Sequence, residues 1–458
     1  MKQRRAFVFK GLLSDSVSRI VSLLKPALPE RGLETPRGSG EPPHHTQDQP
    51  GLEAPRGAGA PPHHHNRRRT ALALLAAVLV GTCWAQAQAP KKLPYIYTKW
   101  KNFTVADGLP NDHIFAVKAD GDHVWIGTED GLAMYNKATG KMKSWTTKDG
   151  LPWPAITGID VDKSTGDVWL ALFGGGIARF SGGRFDRFHQ MNSGLVNDVV
   201  YGITVEHDNI WAATTAGASR FNKVSGEWTI FTEKNAPMEE IWNYNVSYNG
   251  AGTVYLAVWG SGVLEYKIAD GSWKEYLDPD GEMEIDLYRD DGIVHVITTA
   301  VAPAGDGFFV STYFGASRYD GRHWRGYYNM DSGVPSDFMN SVKARSTDEA
   351  WFSTDKGLGV LTDFDSNTWI TYRMDPKTHH GKATVYKDRE VLEEVETETG
   401  IPHNYVIYTE LDGNDVWIGT AKGLAWGKGG DYYPRLRERG AVSGNLAAAA
   451  APAAKGGQ

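Results

Sequence analysis

A short pattern recurs seven times between residues 108 and 424, and the fold of this chain has to repeat with it. The clearest copies are Val124–Thr128 followed by Gly131-Leu132, and Val416–Thr420 followed by Gly423-Leu424. The central position of each copy is aromatic: Trp125, Trp169, Trp211, Tyr255, Phe309, Trp351 and Trp417. Their spacings of 44, 42, 44, 54, 42 and 66 residues are typical of a repeat architecture.

Each copy divides into four short stretches with the composition of β-strands. An apolar stretch follows a turn, and it is succeeded by the aromatic stretch, by a stretch that opens with Gly, and by an outer one with a further aromatic residue. Four strands per repeat predict an all-β fold, a seven-bladed β-propeller with four-stranded blades. A β-sandwich, the alternative, does not require one motif to recur seven times.

The two ends of the repeat region complement each other. Trp100–Phe103 resembles the outer strand of a repeat but precedes the first complete copy, and the last copy stops near Trp426 without an outer strand. We therefore expect the N-terminal strand to complete the seventh blade and close the ring, which removes two exposed sheet edges.

Composition divides the rest of the chain. Gly32–His45 recurs as Gly51–His64 in a Pro-, Gly-, Arg- and His-rich stretch that cannot bury enough apolar area to become ordered, and we expect the true translation start to follow it. The predicted parts are a disordered leader at 1–66, a secretory signal peptide at 67–87, the propeller at 88–436 and a disordered Ala-rich tail at 437–458.

The signal peptide is predicted from three adjoining segments. Arg67–Arg69 precede the apolar run Ala71–Val80, and small residues end at Ala87, after which we expect cleavage. The apolar run is shorter than the roughly 20 residues of a spanning helix, so we expect no transmembrane span in the mature chain. Lipidation of Cys83 is a less favoured alternative. The protein is therefore expected in the periplasm or outside the cell.

Charge and cysteine content exclude several functions. Residues 1–87 hold twelve Lys/Arg and six Asp/Glu and therefore carry a charge of +6. Because the whole chain has a net charge of −7, the remaining residues carry −13. Such an acidic protein is not expected to bind nucleic acid or anionic lipid through a basic surface. Its one cysteine excludes a disulfide scaffold and any site that needs two thiols. No cofactor is expected, and the sequence identifies no metal site.

The Gly108-Leu-Pro-Asn111 turn, the Trp-Ile-Gly-Thr stretch and the following Gly-Leu together resemble the two-component regulator propeller repeat. This repeat is found in periplasmic sensor regions of hybrid histidine kinases, and the resemblance covers residues 95–430. It implies a sensor-type propeller. Copies four and five fit the pattern poorly. Sensors of this family continue into a membrane span and kinase domains, whereas the tail here is Ala-rich, so we expect no kinase of its own.

The loops that precede inner strands and the loops between second and third strands open on one face of a propeller, around its channel. The first series contributes acidic residues, with Asn404 in the seventh copy: Asp112, Asp198, Glu239 and Asp337. These predict an electronegative mouth for a cation or a basic partner. The alternative is that Asp and Asn satisfy backbone donors within turns.

Aromatic residues are also expected on this face. Those that we predict to bind a ligand are Trp153, Phe173, Trp242, Trp259 and Tyr313. Aromatic faces in a cleft suit flat ligands and partner side chains. Packing between blades is an equally good explanation for them.

Two insertions interrupt the period, at 276–292 and 373–402, and both precede an inner strand, which predicts a position on the ligand face. The first is rich in Asp and Glu but lacks the spacing of a calcium loop. Asp160–Asp167 looks more like such a loop, yet fits a hairpin turn better. No motif of a hydrolase, metalloprotease or phosphate-binding enzyme is present.

The sequence thus predicts an exported, non-catalytic propeller that binds a small molecule, a glycan or an envelope protein at its channel face. Two alternatives stay open. One is a periplasmic lyase or hydrolase of polysaccharides that uses the scattered histidines, among them His113, His207, His295, His323 and His403. The other is a scaffold subunit of an envelope complex.

Overall fold

The computed structural model describes residues 95–279, 292–429 and the backbone of 431–432. The predicted leader, signal peptide and C-terminal tail, and most of the acidic insertion at 276–292, lie outside these residues. The strands of the described part are, in chain order, β1 (Tyr95–Ile96), β2 (Trp100–Phe103), β3 (Ile114–Asp120), β4 (His123–Thr128), β5 (Leu132–Asn136), β6 (Lys141–Trp145), β7 (Ile156–Val161), β8 (Val168–Leu172), β9 (Gly176–Ser181), β10 (Arg184–Phe188), β11 (Val200–Glu206), β12 (Asn209–Thr214), β13 (Gly217–Asn222), β14 (Trp228–Phe231), β15 (Asn243–Tyr248), β16 (Thr253–Val258), β17 (Gly262–Lys267), β18 (Trp273–Tyr276), β19 (Thr298–Ala304), β20 (Gly307–Thr312), β21 (Gly315–Tyr319), β22 (Trp324–Tyr327), β23 (Met339–Ala344), β24 (Ala350–Thr354), β25 (Gly357–Asp363), β26 (Thr368–Met374), β27 (Gly381–Lys387), β28 (Glu390–Thr397), β29 (Val406–Asp412), β30 (Asp415–Thr420), β31 (Gly423–Gly427) and β32 (Asp431–Tyr432).

These strands form seven antiparallel blades, which confirms the predicted seven-bladed propeller. Blades 1 to 5 are β3–β6, β7–β10, β11–β14, β15–β18 and β19–β22. Blade 6 is β23–β28, and blade 7 consists of β29, β30, β31 and β2. The first strand of each blade contacts the first strands of both neighbouring blades, so these seven strands surround the central channel.

The repeated aromatic position lies in the second strand of every blade. Trp169, Trp211, Phe309 and Trp417 are fully buried there. They pack between blades: Trp417 of blade 7 belongs to one apolar cluster with side chains of β3 and β4 in blade 1. The period of the sequence therefore follows from the contact between neighbouring sheets, which needs one large ring per blade.

The ring is closed as predicted. β2 pairs with β31 in antiparallel register, from Trp100 opposite Gly427 to Phe103 opposite Leu424. The N-terminal strand therefore supplies the outer strand of the last blade, and the two ends of the ring are joined by backbone hydrogen bonds.

Two short 3-10 helices, Val105–Asp107 and Thr147–Asp149, each end at the glycine of a Gly-Leu-Pro turn. In the first, the side chain of Thr104 accepts a hydrogen bond from the backbone of Ala106, and Asp107 accepts one from Thr104. Gly108 then has φ of +101° and Gly150 φ of +91°, a left-handed conformation that explains the glycine of the motif. Within the described ranges, no helix has the length and apolarity of a membrane span.

Blade 6 differs from the four-stranded blades, and the insertion at 373–402 is the cause. We expected this insertion on the ligand face, but most of it forms β27 and β28, which continue the sheet outward from β26. Val385 and Val395 of this added hairpin lie in one apolar cluster with Trp100 of the closing strand. The insertion therefore covers the flank of the closure between blades 6 and 7.

Candidate functional site

One face of the propeller carries both loop series. In blade 1 the first residue of β3, Ile114, lies opposite the last residue of β4, Thr128, so the loop before β3 and the loop after β4 are at the same end of the sheet. The same register recurs in the other blades, for example between Val200 and Thr214. We call this end of the channel the mouth.

The predicted acidic residues of the mouth are held in their own loops. Asp112 Oδ1 accepts a hydrogen bond from the backbone N–H of Val105 at 2.7 Å, and Asp198 Oδ1 accepts one from Gln190 at 2.8 Å. Their backbone carbonyls also accept hydrogen bonds from glycines that open a third strand. Both acidic residues therefore fix the connection between two blades.

The same arrangement recurs later in the chain. Asp337 Oδ1 accepts a hydrogen bond from the backbone N–H of Asn329 at 2.7 Å, and Asn404 Oδ1 accepts one from Met374 at 2.7 Å. Burial raises the pKa of Asp337. Glu239 is exposed. The turn interpretation of these residues has a geometric basis, and a role in ligand binding stays a prediction.

A β-bulge follows the first residue of every inner strand. The pairing register shifts there in all seven blades, which leaves one residue per blade unpaired just inside the mouth. These residues are Phe115, Thr157, Tyr201, Tyr244, Thr299, Asn340 and Ile407. Two of them donate to the backbone of the next blade: Thr157 Oγ1 to the Val200 carbonyl and Asn340 Nδ2 to the Val406 carbonyl, both at 2.6 Å.

Four of the five predicted aromatic residues meet at the mouth in one continuous cluster. The rings of Trp242 and Trp259 are stacked, with centroids 5.6 Å apart, and Tyr313 stands edge-on to Trp259 at the same distance. Phe173 joins from the side of blade 2 through an edge contact of 5.4 Å with Tyr201.

Three further rings belong to this aromatic cluster and were not predicted. Tyr201 and Tyr244 are bulge residues, and Phe338 stacks on Tyr313 at 4.3 Å. The seven rings that we call the mouth cluster are Phe173, Tyr201, Trp242, Tyr244, Trp259, Tyr313 and Phe338. Each is half-buried, so the cluster presents ring surface to the mouth as well as packing between blades.

The fifth predicted aromatic residue, Trp153, lies beside the mouth cluster. Its indole N–H donates to the Phe173 carbonyl at 2.6 Å, and the guanidinium of Arg187 lies 5.7 Å from its ring centroid. Its exposed fraction of 36% leaves part of the ring accessible to a ligand. Trp153 therefore extends the aromatic surface towards blade 2.

The phenols of the mouth cluster stay neutral. Burial raises the pKa of Tyr201, Tyr244 and Tyr313 above the usual value for a phenol. Tyr313 donates a hydrogen bond of 3.4 Å to Tyr244. Neutral phenols can donate a hydrogen bond to an uncharged ligand, which an ionised phenolate cannot.

Three histidines occupy the loops before inner strands, in blades 1, 5 and 7. His295 Nδ1 and His403 Nδ1 each accept a hydrogen bond of 3.0 Å from the backbone two residues on. Burial lowers the pKa of His295 to about 4 and also lowers that of His403. His113 Nδ1 lies 3.3 Å from a carboxylate oxygen of Glu129.

Metal ligands do not come together in the described ranges: no group of three His, Cys, Asp or Glu side chains there could hold a metal ion. Of the stretch Asp160–Asp167, Asp162–Asp167 form the hairpin turn between β7 and β8, as preferred from the sequence, and Asp160 lies in β7. Ser164 donates to Asp162 from its backbone and its hydroxyl. The acidic stretch 280–291 lies outside the described residues.

No protein-family model and no curated protein sequence matches the chain. Solved structures do resemble it. The extracellular domain of a proposed hybrid two-component system from B. thetaiotaomicron has a TM-score of 0.52 at 15% identity, over 73% of this chain and 42% of that chain. The extracellular domain of a proposed one-component system from the same organism has a TM-score of 0.51 at 12% identity, over 74% and 40%.

Virginiamycin B lyase from Staphylococcus aureus has a TM-score of 0.51 at 13% identity, over 72% of this chain and 98% of that chain. At these identities the likeness concerns the fold. The chain spans about two fifths of the length of the two sensor domains. The resemblance to sensor propellers of two-component systems, predicted from the repeat, is thus confirmed for the architecture.

Proposed function

We propose that this protein is an exported, non-catalytic propeller that recognises a small molecule or glycan at its mouth and reports it to a separate envelope protein. The observation that carries the proposal is the mouth cluster. Seven half-buried rings from blades 2 to 6 form one aromatic surface beside the channel.

The chemistry of the mouth cluster favours an uncharged ring as the ligand. Each aromatic stack contributes about 0.5–1.5 kcal/mol beyond the burial of its area. Three phenols held neutral by burial add hydrogen-bond donors beside the stacking faces. A sugar ring has an apolar face and hydroxyl groups at its rim, and it matches this combination.

The role in sensing and the location rest on other observations. Two of the similar structures are extracellular domains of signalling systems, and the repeat resembles sensor propellers. The sequence adds a predicted signal peptide at 67–87 and an acidic mature region. In this proposal a partner protein in the envelope transmits the signal.

The test is a titration of the full-length protein with neutral oligosaccharides, followed by tryptophan fluorescence and thermal unfolding. Trp259→Ala removes a stacking face at the mouth. Trp273→Ala is the matched control, because Trp273 is a half-buried tryptophan of the same blade in the outer strand β18. We expect at least about tenfold weaker binding for Trp259→Ala alone. Equal binding by both variants would refute the site.

A second candidate function is that of a lyase. Virginiamycin B lyase shares the architecture over nearly its whole length, and the His113–Glu129 pair lies at the mouth. A carboxylate beside an imidazole can orient it as a general base. A turnover assay on acidic polysaccharides with the wild type and with His113→Ala would test it: a double-bond product formed by the wild type alone would favour the lyase over the sensor.

A further inference from the structure

Below the mouth, the channel is lined by the residues three positions after each bulge. In blade order these residues are Lys118, Asp160, Thr204, Ser247, Ala302, Lys343 and Glu410. Charged side chains thus come from blades 6, 7, 1 and 2, while blades 3 to 5 contribute small ones. The small side chains leave space, and a cavity of about 310 Å³ lies against them.

The charges form two ion pairs between neighbouring blades. Lys118 Nζ lies 2.9 Å from Asp160 Oδ1, and Lys343 Nζ lies 3.6 Å from Glu410 Oε2. Both lysines line the cavity, as do Asp160 and Tyr408. The cavity therefore has two ammonium groups in its wall.

The carboxylates of these pairs also accept hydrogen bonds from backbone and hydroxyl groups of the next blade. Asp160 Oδ2 accepts hydrogen bonds from the Val205 backbone at 2.8 Å and from the Thr204 hydroxyl at 3.2 Å. Glu410 Oε1 accepts one from the Ala119 backbone at 3.3 Å. Their oxygens are therefore already engaged by neighbouring blades.

The lysine side chains are more exposed than the side chains of the carboxylates with which they pair. The side chains of Lys118 and Lys343 are 26% and 33% exposed, against 14% for Asp160 and 9% for Glu410. An ammonium group can donate three hydrogen bonds. Lys118, Lys343 and Asp160 line the cavity and Glu410 does not, so its wall holds more positive than negative groups, although the four charges cancel in sum.

Both lysines remain charged. Burial opposes the charge of Lys343, but Tyr408 and Glu410 outweigh it and raise the pKa. Burial also opposes the charge of Lys118, and Asp160 and Glu410 raise its pKa in the same way. This protonation agrees with the geometry of the two pairs.

The opposite wall of the cavity offers neutral polar groups. Ser247 Oγ is buried and has no hydrogen-bond partner among the described residues. Ser247 lines the cavity next to Asn245 and Thr204. A buried hydroxyl without a partner is costly, and rotation of the Ser247 side chain about χ1 towards the cavity would let a ligand hydroxyl satisfy it.

We propose that this channel cavity binds a small hydroxylated carboxylate, such as a sugar acid. Its carboxylate lies between Lys118 and Lys343, and its hydroxyl groups face Ser247. The volume is at the lower end of the range for small-molecule sites, which limits the ligand to about one sugar ring. The cavity borders the mouth cluster at Tyr201, but both lysines and Ser247 lie outside that cluster, and the proposal does not depend on ligand binding at the mouth.

The experiment is calorimetric titration of the full-length protein with D-glucuronate, with D-glucose and acetate as the two partial ligands. Glucose lacks the carboxylate and acetate lacks the hydroxyl groups. We expect glucuronate to bind at least about tenfold more tightly than either. Binding should weaken as salt is added, because part of the attraction is between charges.

Two variants and one control localise the site. Lys343→Met removes one ammonium group but leaves Glu410 without its partner, so its folding must be checked by thermal unfolding. Ser247→Leu fills the cavity and leaves both ion pairs intact. Lys377→Met, in an exposed turn after β26, is the control. We expect both cavity variants to lose at least about tenfold in affinity and the control to bind as the wild type does.

Other outcomes overturn the proposal. Equal affinities for glucuronate and glucose would mean that the lysines do not select a carboxylate. Unchanged binding in Ser247→Leu would place the ligand elsewhere. No heat and no thermal stabilisation at about 10 mM glucuronate would exclude a sugar-acid site in this cavity.

Discussion

Trp100 of the closing strand packs edge-on against Tyr372 of blade 6, with ring centroids 5.6 Å apart. The Tyr97 ring contacts both of these rings and also the ring of Trp351. The backbone N–H of Tyr97 donates to the Tyr372 hydroxyl at 3.0 Å. The closing strand is therefore held by blade 6 as well as by its pairing in blade 7.

Removing this packing should destabilise the whole ring. Trp100→Ala leaves a cavity at a residue that is 8% exposed, and we expect a loss of about 3–5 kcal/mol in the free energy of unfolding. Deletion of residues 91–104 should abolish cooperative unfolding. Urea denaturation measures both. Met191→Ala is the control, because Met191 is 88% exposed. An unchanged urea midpoint for the deletion variant would contradict closure of the ring by the N-terminal strand.

His295 should make stability depend on pH. Its pKa of about 4 in the folded protein lies below the ordinary histidine pKa of 6.5, so the unfolded chain binds more protons between these values. The stability is present above about pH 6.5 and falls as the pH is lowered towards 4. The fall from pH 6.5 to 5 should be smaller in His295→Asn when unfolding is followed by urea titration.

His295→Asn is chosen because Asn111 and Asn197 hold the equivalent turns, each accepting a hydrogen bond of 2.7 Å from the backbone two residues on. The variant should therefore keep the turn and differ from the wild type by less than about 1 kcal/mol at pH 7.5. A steep fall that persists in the variant would assign the pH dependence to other groups.

Asp198 separates the two interpretations of the acidic residues. Asp198→Asn keeps an oxygen that can accept from Gln190 and removes the charge, whereas Asp198→Ala removes both. For a structural role we expect an unchanged melting temperature in the Asn variant and a loss of about 0.5–2 kcal/mol in the Ala variant. Weaker ligand binding in the stable Asn variant would instead support an electronegative mouth.

Two glycines with positive φ should respond differently to alanine. Gly150→Ala meets no neighbouring atom, so its cost is conformational, about 1 kcal/mol. Gly176→Ala has a φ of +81° and also brings its Cβ against the Phe188 carbonyl. Thermal unfolding should show the larger loss for Gly176→Ala. Equal losses of stability would mean that the outer strand of blade 2, β10, shifts away from the added Cβ at little cost in free energy.

The sequence predicts the architecture because each blade needs one large ring, such as Trp169, to pack against its neighbour. Four members of the mouth cluster, including Trp242 and Trp259, could be predicted because loops of equivalent position share a face. Tyr201 and Tyr244 could not, because a bulge that leaves no mark in the pattern sets which residue of the inner strand is unpaired.

The bulge is also the reason that the channel lysines could not be predicted, because the register after it decides which side chains reach the cavity. The extra hairpin of blade 6 was misplaced for a different reason. Its alternation of Glu and Val is compatible with a strand, but the sequence does not say that β27 pairs with β26. The structure shows that pairing, from Thr368 opposite Lys387 to Met374 opposite Gly381.

The short pairing of β1 with β32 places Ile96 opposite Asp431. Since β2 runs from Trp100 towards the mouth, this pairing lies at the end of blade 7 away from the mouth. The described chain therefore enters and leaves the ring side by side, at the end of blade 7 opposite the mouth. A fluorophore attached at Ile96 or Gly427 would therefore report from the face opposite the mouth cluster.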